Sequence, residues 1–252
     1  MRRELELFFT ALMFFTRLPV PTLDYSQEKL NASSRYFPLV GILVGTLSAT
    51  VFMFSSIILP LKVAVLLSMI ASIWITGACH EDGFADACDG FGGGYTKERI
   101  LEIMKDSRIG AFGAIGIILL LILKFLLLSE INPMMIPIAI VSGHAISRLI
   151  SISLLYSMVY VKEEGKAKPL STALPLGSLI VASIFGLLPL LLFKKVFILL
   201  ILIPLLMTRS YLSYYFKKHI GGYTGDCLGA SQQVSEIVFY LGIYLFLQWK
   251  FI

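Results

Sequence analysis

Four carboxylates fall within nine residues of this chain: Glu81, Asp82, Asp86 and Asp89, inside the run H-E-D-G-F-A-D-A-C-D-G-F-G-G-G at 80–94. Asp82, Asp86 and Asp89 are spaced i, i+4 and i+7, which on an α-helix sets them within about 60° of one another. Like charges on one helical face repel, and beside lipid the arrangement is unfavourable unless a cation neutralises it. Mg²⁺ suits such an all-oxygen set. It takes one or two carboxylates together with substrate phosphates and keeps waters, whereas zinc favours Cys and His. The three aspartates, with Glu81 beside them, are the expected metal ligands. The plainer alternative, a solvated acidic loop, does not account for the helical spacing.

Residues suited to phosphate surround this cluster. Gly90-Phe91-Gly92-Gly93-Gly94 follows at once, and glycines let backbone N–H groups approach phosphate oxygens; Gly92 and Gly93 are the expected contacts, with a flexible turn as the alternative. No GKS or GKT is present, so this is not a P-loop. Lys105 and Arg108 offer a point charge and a bidentate clamp. Asp106 between them either adds to the metal site or holds Arg108. A second glycine-rich stretch, Gly221 to Ala230, carries Asp226, which either completes the metal site or takes a proton from an attacking hydroxyl. Arg17 and Arg35 are further anion-binding candidates. So are His144 and Arg148, one turn apart in an apolar run, where buried cations either bind anionic groups or pair with carboxylates.

The elements that position these residues are membrane helices. Hydrophobic residues make up 57% of the 252 and charged residues only 15%, against roughly 25% charged in soluble domains; mean hydropathy is +0.85. Runs of about 20 apolar residues cross a bilayer core, and seven such runs are expected, near 37–59, 61–79, 109–128, 133–155, 174–192, 196–215 and 234–249. The fold class is all-α: a polytopic helical bundle forming one transmembrane catalytic domain over 1–252. Leu5–Phe15 is too short to span and lacks a small-residue cleavage pattern after it, so an interfacial or re-entrant N-terminal helix is expected.

With the N-terminus in the cytoplasm, fourteen Lys and Arg flank the inner ends of the spans and four the outer ends, Lys62, Lys194, Lys195 and Lys250. The positive-inside rule favours that orientation. It puts Thr16–Arg35, His80–Arg108, Lys162–Thr172 and Lys217–Gln233 on one face, so a single cytoplasmic active site at the inner membrane can draw on all four. Topology also accounts for the net charge of +5, so nucleic acid is not an expected partner, while membrane lipid is. Cys79, Cys88 and Cys227 form no CxxC pair and are read as small apolar residues.

The chain resembles the cobalamin synthase (adenosylcobinamide-GDP ribazoletransferase) family. The resemblance is carried by F-F-T-R-L-P-V-P at 14–21, R-Y-F-P-L-V-G at 35–41, the 80–94 run, E-I-M-K-D-S-R-I-G-A-F-G at 102–113 and G-G-Y-T-G-D-C-L-G-A at 221–230. These blocks cover nearly the whole chain; Phe84 and Cys88 depart from an expected Leu and Thr. The resemblance implies Mg²⁺-dependent joining of α-ribazole, or its 5′-phosphate, to adenosylcobinamide-GDP with release of GMP. The D-G-F-A-D segment is similar to part of the CDP-alcohol phosphotransferase signature, with Asp86 where that family has Arg. A membrane phosphotransferase of that type is the second reading. A transporter is the third, though its polar site belongs near the bilayer midplane. Self-association into a homo-oligomer is compatible with all three.

Overall fold

Backbone groups in lipid must be paired within their own segment, which helices achieve. The apolar runs accordingly fold as helices wherever proline and glycine permit. The computed structural model describes residues 2–21, 26–161 and 174–248, without the Arg2 side chain. Lys162, Lys166, Lys168 and Lys250 of the charge tally, and the stretch 162–172, lie outside the described residues. The helices are α1 (Arg2–Phe15), α2 (Gln27–Ser33), α3 (Phe37–Ser55), α4 (Leu61–Thr76), α5 (Cys79–Gly93), α6 (Lys97–Ile103), α7 (Ala111–Glu130), α8 (Ile136–Ser157), α9 (Leu176–Leu187), α10 (Leu202–Ile220) and α11 (Gly225–Gln248). Among the described residues the only β pairing is an isolated parallel bridge, Tyr160 with Tyr223.

Among the described residues five segments are long and apolar enough to cross a membrane: Gln27–Ser55, Ala111–Glu130, Ile136–Ser157, Leu176–Phe193 and Val196–Ile220; counting α4 with α5 as one bent crossing gives six. The seventh expected run lies in α11, whose 24 residues reach about 36 Å at 1.5 Å per residue. Its first half is too polar for that class because it is buried in the bundle rather than in lipid: Ser231, Gln232, Gln233, Ser235 and Glu236 are at most 2% exposed. Two other spans are partly 3₁₀ rather than α. Pro189 lies in a 3₁₀ segment, Leu188–Phe193, that continues α9, and a second 3₁₀ segment, Val196–Ile201, leads into α10.

Glycines set the closest helix contacts. The chain reverses between α3 and α8, so Gly41 lies against His144 and Gly45 against Val141, whose Cα would stand 2.8 Å from a Cβ at 45. Small residues at such crossings let helices approach in lipid, where no hydrophobic force draws them together. Two apolar layers result. One holds Phe37, Val44, Leu154, Phe216 and Cys227; the other holds Phe52, Val65, Ile136, Phe239 and Tyr240. Along α4, α8 and α11 the buried polar residues fall between or beside these layers.

The expected run 61–79 does not finish as one helix. α4 stops at Thr76, Gly77 and Ala78 take left-handed conformations (φ 64° and 59°), and α5 leaves at 87°. A glycine in that conformation is a common helix terminator; alanine there is strained. α1, expected as an interfacial helix, is a 14-residue helix of about 21 Å, short of a bilayer core. It buries Leu7, Thr10, Ala11 and Leu12, the i, i+3, i+4 stripe of a helix with one face on the bundle.

Candidate active site

The elbow at Gly77-Ala78 aims α5, and Arg17 braces it. The Arg17 N–H donates to the Ile75 carbonyl at 2.8 Å, and a Cβ at Gly77 would lie 2.5 Å from Arg17 Nε. Beyond the elbow the three aspartates descend from solvent into protein: Asp82 is exposed, Asp86 half-buried and Asp89 buried. Asp89 is committed to its surroundings. Its Oδ2 accepts the Gly110 N–H at 2.7 Å and its Oδ1 the Gly113 N–H at 2.8 Å, the unpaired donors at the start of α7. A Cβ at either glycine would collide with that carboxylate, which accounts for R-I-G-A-F-G.

α5 and α11 meet backbone to backbone. A Cβ on Gly83 would lie 3.1 Å from the Asp226 Cα and 3.4 Å from the Gly229 Cα, and one on Gly229 would lie 3.0 Å from the His80 carbonyl oxygen. Residue 83 thus opposes 226 and residue 80 opposes 229. In this register Asp226 enters beside α5 between Asp82, one residue before Gly83, and Asp86, three residues after it. Thr224 secures the start of α11: its hydroxyl accepts the Cys227 N–H at 3.2 Å and donates to Asp226 Oδ2 at 3.3 Å. Behind it Tyr223 pairs with Val159 and Val161 through two backbone bonds. Burial, and then the nearby negative charge of Asp226, push the Tyr160 hydroxyl up to about 12.

The remaining expected residues divide. Lys105 is exposed. Asp106 holds Arg108, which donates to it from Nε at 3.0 Å, from a terminal nitrogen at 2.7 Å and from the backbone at 3.1 Å. Those bonds lower the Asp106 carboxyl to about 2. Gly92 and Gly93 do not form a phosphate loop. α5 runs through them, and a Cβ on Gly92 would stand 2.6 Å from the Phe112 ring, so close packing, not backbone mobility, requires that glycine. Arg35 donates to the Ala32 carbonyl and faces Glu4 at 3.8 Å, within the N-terminal helices.

Glu81, expected beside the metal ligands, turns inward because neighbours on a helix diverge by about 100°. It is 9% exposed and its Oε1 accepts Gln233 Nε2 at 2.9 Å. His144 and Arg148, expected to bind an anionic group or pair with a carboxylate, are likewise buried. Arg148 donates to the His144 carbonyl at 2.9 Å, and His144 Nε2 lies 3.8 Å from Glu236. Sequence reasoning passed over the centre of this buried cluster: Lys124 on α7 meets Glu236 on α11 at 2.7 Å, and Tyr240 and Gln232 also donate to that carboxylate. The signal was present as a lysine inside a leucine-rich run and as Q-Q-V-S-E in an apolar helix.

Among the described residues no group of three or more His, Cys, Asp or Glu is arranged to hold a metal ion unaided. Mg²⁺ does not require one, since it is bound through one or two carboxylates with phosphate and water filling the remaining positions. Asp82 and Asp86, accessible and one turn apart, with Asp226 brought against the same stretch, fit that share.

A family model described as cobalamin-5-phosphate synthase matches residues 7–244. The chain is 49% identical over 251 residues to a Shewanella amazonensis protein named adenosylcobinamide-GDP ribazoletransferase, covering 97% of this chain and 96% of the relative. It is 47% identical over 247 residues to a protein of that name from Shewanella frigidimarina, covering 96% and 95%. It is 46% identical over 247 residues to one from Ralstonia pickettii, covering 96% of each. No solved structure matches.

Proposed function

Because this chain belongs to the cobalamin-5-phosphate synthase family, we propose that its two-helix acid site carries out the ribazoletransferase reaction named for its relatives. The substrates are adenosylcobinamide-GDP and α-ribazole or its 5′-phosphate; the products are adenosylcobalamin or its phosphate, and GMP. A ribazole hydroxyl attacks the phosphorus that bears cobinamide. The new P–O bond forms as the bond to GMP breaks, and the hydroxyl proton passes to the protein.

The observation that carries this reading is the approach of the Asp226 backbone to Gly83, which brings the first turn of α11 against the stretch of α5 that bears Asp82 and Asp86. In this reading Asp82 and Asp86 hold Mg²⁺, which neutralises charge on the diphosphate and on departing GMP. Asp226 takes the hydroxyl proton, oriented by Thr224. Asp89 ties α5 to α7. Arg108 and Lys105, exposed at the end of the 94–110 connection, bind diphosphate oxygens, with Asp106 holding the guanidinium in place. Arg17 contributes at the elbow. The short connections at 56–60 and 194–195 lie at the opposite end of the helices from α5, α6 and Asp226, which supports a site on one face; the lysine and arginine distribution makes that face cytoplasmic in a multi-pass inner-membrane protein.

The test is release of GMP from adenosylcobinamide-GDP by the purified protein in detergent or liposomes, with and without Mg²⁺. Chelation stops turnover and Mg²⁺ restores it. Asp82→Asn and Asp86→Asn each raise the Mg²⁺ needed for half-maximal rate and lower kcat by roughly 10²-fold, the scale on which lost electrostatic stabilisation acts. Normal turnover in either folded variant removes that residue from the site.

A further inference from the structure

The aspartates that approach one another across α5 and α11 belong to two separate helices, so something must fix how far one slides along the other. At the Gly83–Gly229 crossing only backbone and small residues meet, and such a contact sets distance but not register. Register needs a directional bond. A side-chain hydrogen bond of that kind joins these two helices: Gln233 Nε2 to Glu81 Oε1, 2.9 Å, with both residues at most 9% exposed. Gln233 lies about two turns below Asp226 on α11, and Glu81 is the immediate neighbour of Asp82 on α5. A shift of one partner therefore moves the site carboxylates directly.

The bond has a polar setting of its own. Ser72, Thr76, His144, Arg148, Gln232 and Glu236 line the same cleft, which the side chains fill so closely that no water-sized space remains. Among the described residues Glu81 Oε2 and Gln233 Oε1 find no hydrogen-bond partner. Between two buried side chains such a bond is strong, and the unpaired alternative is unfavourable. Glu236 anchors the next turn of α11 to Lys124 on α7, so α11 is braced from two sides.

We propose that Glu81 and Gln233 act as a positioning pair: their hydrogen bond sets the α5–α11 register and thereby the spacing of Asp82 and Asp86 from Asp226. Glu81 then serves the site from behind the helix and is not a metal ligand. The proposal rests on the reading of those aspartates as a Mg²⁺-dependent transferase site.

The experiment compares Gln233→Leu with the reversed pair Glu81→Gln/Gln233→Glu, which keeps one amide, one carboxylate and the local charge. GMP release is titrated with Mg²⁺, and thermal unfolding of each purified protein is recorded. Gln233→Leu is expected to lower kcat by roughly tenfold and raise the half-saturating Mg²⁺ several-fold, as sub-ångström misplacement of reacting groups does. The reversed pair is expected to return to within about threefold of the parent on both counts, as a coupled pair should. Three results overturn the proposal: a folded Gln233→Leu with parental kinetics, a reversed pair no better than Gln233→Leu, or a reversed pair that does not fold. If Glu81 were a ligand, the reversed pair would lose Mg²⁺ affinity, because an amide in place of that carboxylate brings no charge. A parent enzyme indifferent to Mg²⁺ would instead sink the metal reading, leaving recovery of kcat in the reversed pair to judge the register.

Discussion

Gly83 and Asp226 are so close that a single methyl group at residue 83 would stand 3.1 Å from the Asp226 Cα and 3.3 Å from its carbonyl oxygen. Both obstacles are backbone, so no rotamer change relieves them. Gly83→Ala must push α11 away from α5 by a few tenths of an ångström. Helix propensity favours the substitution, since alanine is the better helix former by about 1 kcal/mol. The variant should therefore fold and insert normally yet turn over roughly tenfold more slowly, because reacting groups tolerate little displacement. Rate and thermal unfolding measured on one preparation separate the two effects. Unchanged turnover would show that the approach of α11 to α5 does not matter to the chemistry.

Asp89 shares a helix face with Asp82 and Asp86, yet its two oxygens are bound to the start of α7. Asp89→Ala removes two charge-assisted bonds, worth about 1.5–3 kcal/mol each when a charged group takes part, and leaves two N–H groups unpaired. Asp89→Asn keeps one acceptor and should lose less. The expected signature is a lowered unfolding temperature in the order Ala below Asn below parent. The half-saturating Mg²⁺ should change far less than in Asp82→Asn. A Mg²⁺ defect in a thermally normal Asp89→Asn would move Asp89 into the metal site.

The sequence made the helical class, most of the spans and the acidic face legible because each is a local pattern. Aspartates at i, i+4 and i+7 need only a helix to come together, and α5 provides one. What it concealed depends on partners distant in the chain. Glu81 looks like its neighbour Asp82 until Gln233 is seen opposite it. Gly92 and Gly93 read as a loop because glycine lacks a helical signal, but α5 runs through both, and at Gly92 the Phe112 ring leaves no room for a side chain. Lys124 vanishes into the average hydropathy of a leucine-rich run, and only Glu236 explains its presence. His144 and Arg148 were visible as buried cations, with both substrate and carboxylate as candidate partners; His144 lies 3.8 Å from Glu236, whereas Arg148 donates to the His144 carbonyl.

Arg108 holds the Asp106 carboxyl at about 2, below the ordinary aspartate value of 3.8. A carboxyl lowered in the folded protein contributes above its unfolded pKa, and the contribution fades as pH falls from near 4 through 2. Across pH 5–9 the pair is fully formed. Arg108→Ala should therefore lower the rate by a factor that does not vary with pH over this range, and Asp106 should contribute no inflection to the pH–rate profile. An inflection lost in Asp106→Asn would show that Asp106 titrates during turnover.

Lys124 and Glu236 meet at 2.7 Å with side chains 3% and 1% exposed, and they test whether the buried layer is structural. Removing one partner of a buried ion pair leaves an uncompensated charge, at about 3–5 kcal/mol. The two partners differ, however. Glu236 accepts from Lys124, Tyr240 and Gln232, so Glu236→Ala strands three donors. Lys124→Met leaves a carboxylate that still has Tyr240 and Gln232. Glu236→Ala should therefore be the more destabilising substitution. Lys124→Met/Glu236→Gln, which removes both charges and keeps an acceptor for Tyr240, should recover much of the loss. Thermal unfolding followed by circular dichroism in one detergent ranks the four proteins. A double variant less stable than both single variants would mean that the pair contributes more than the mutual compensation of two buried charges.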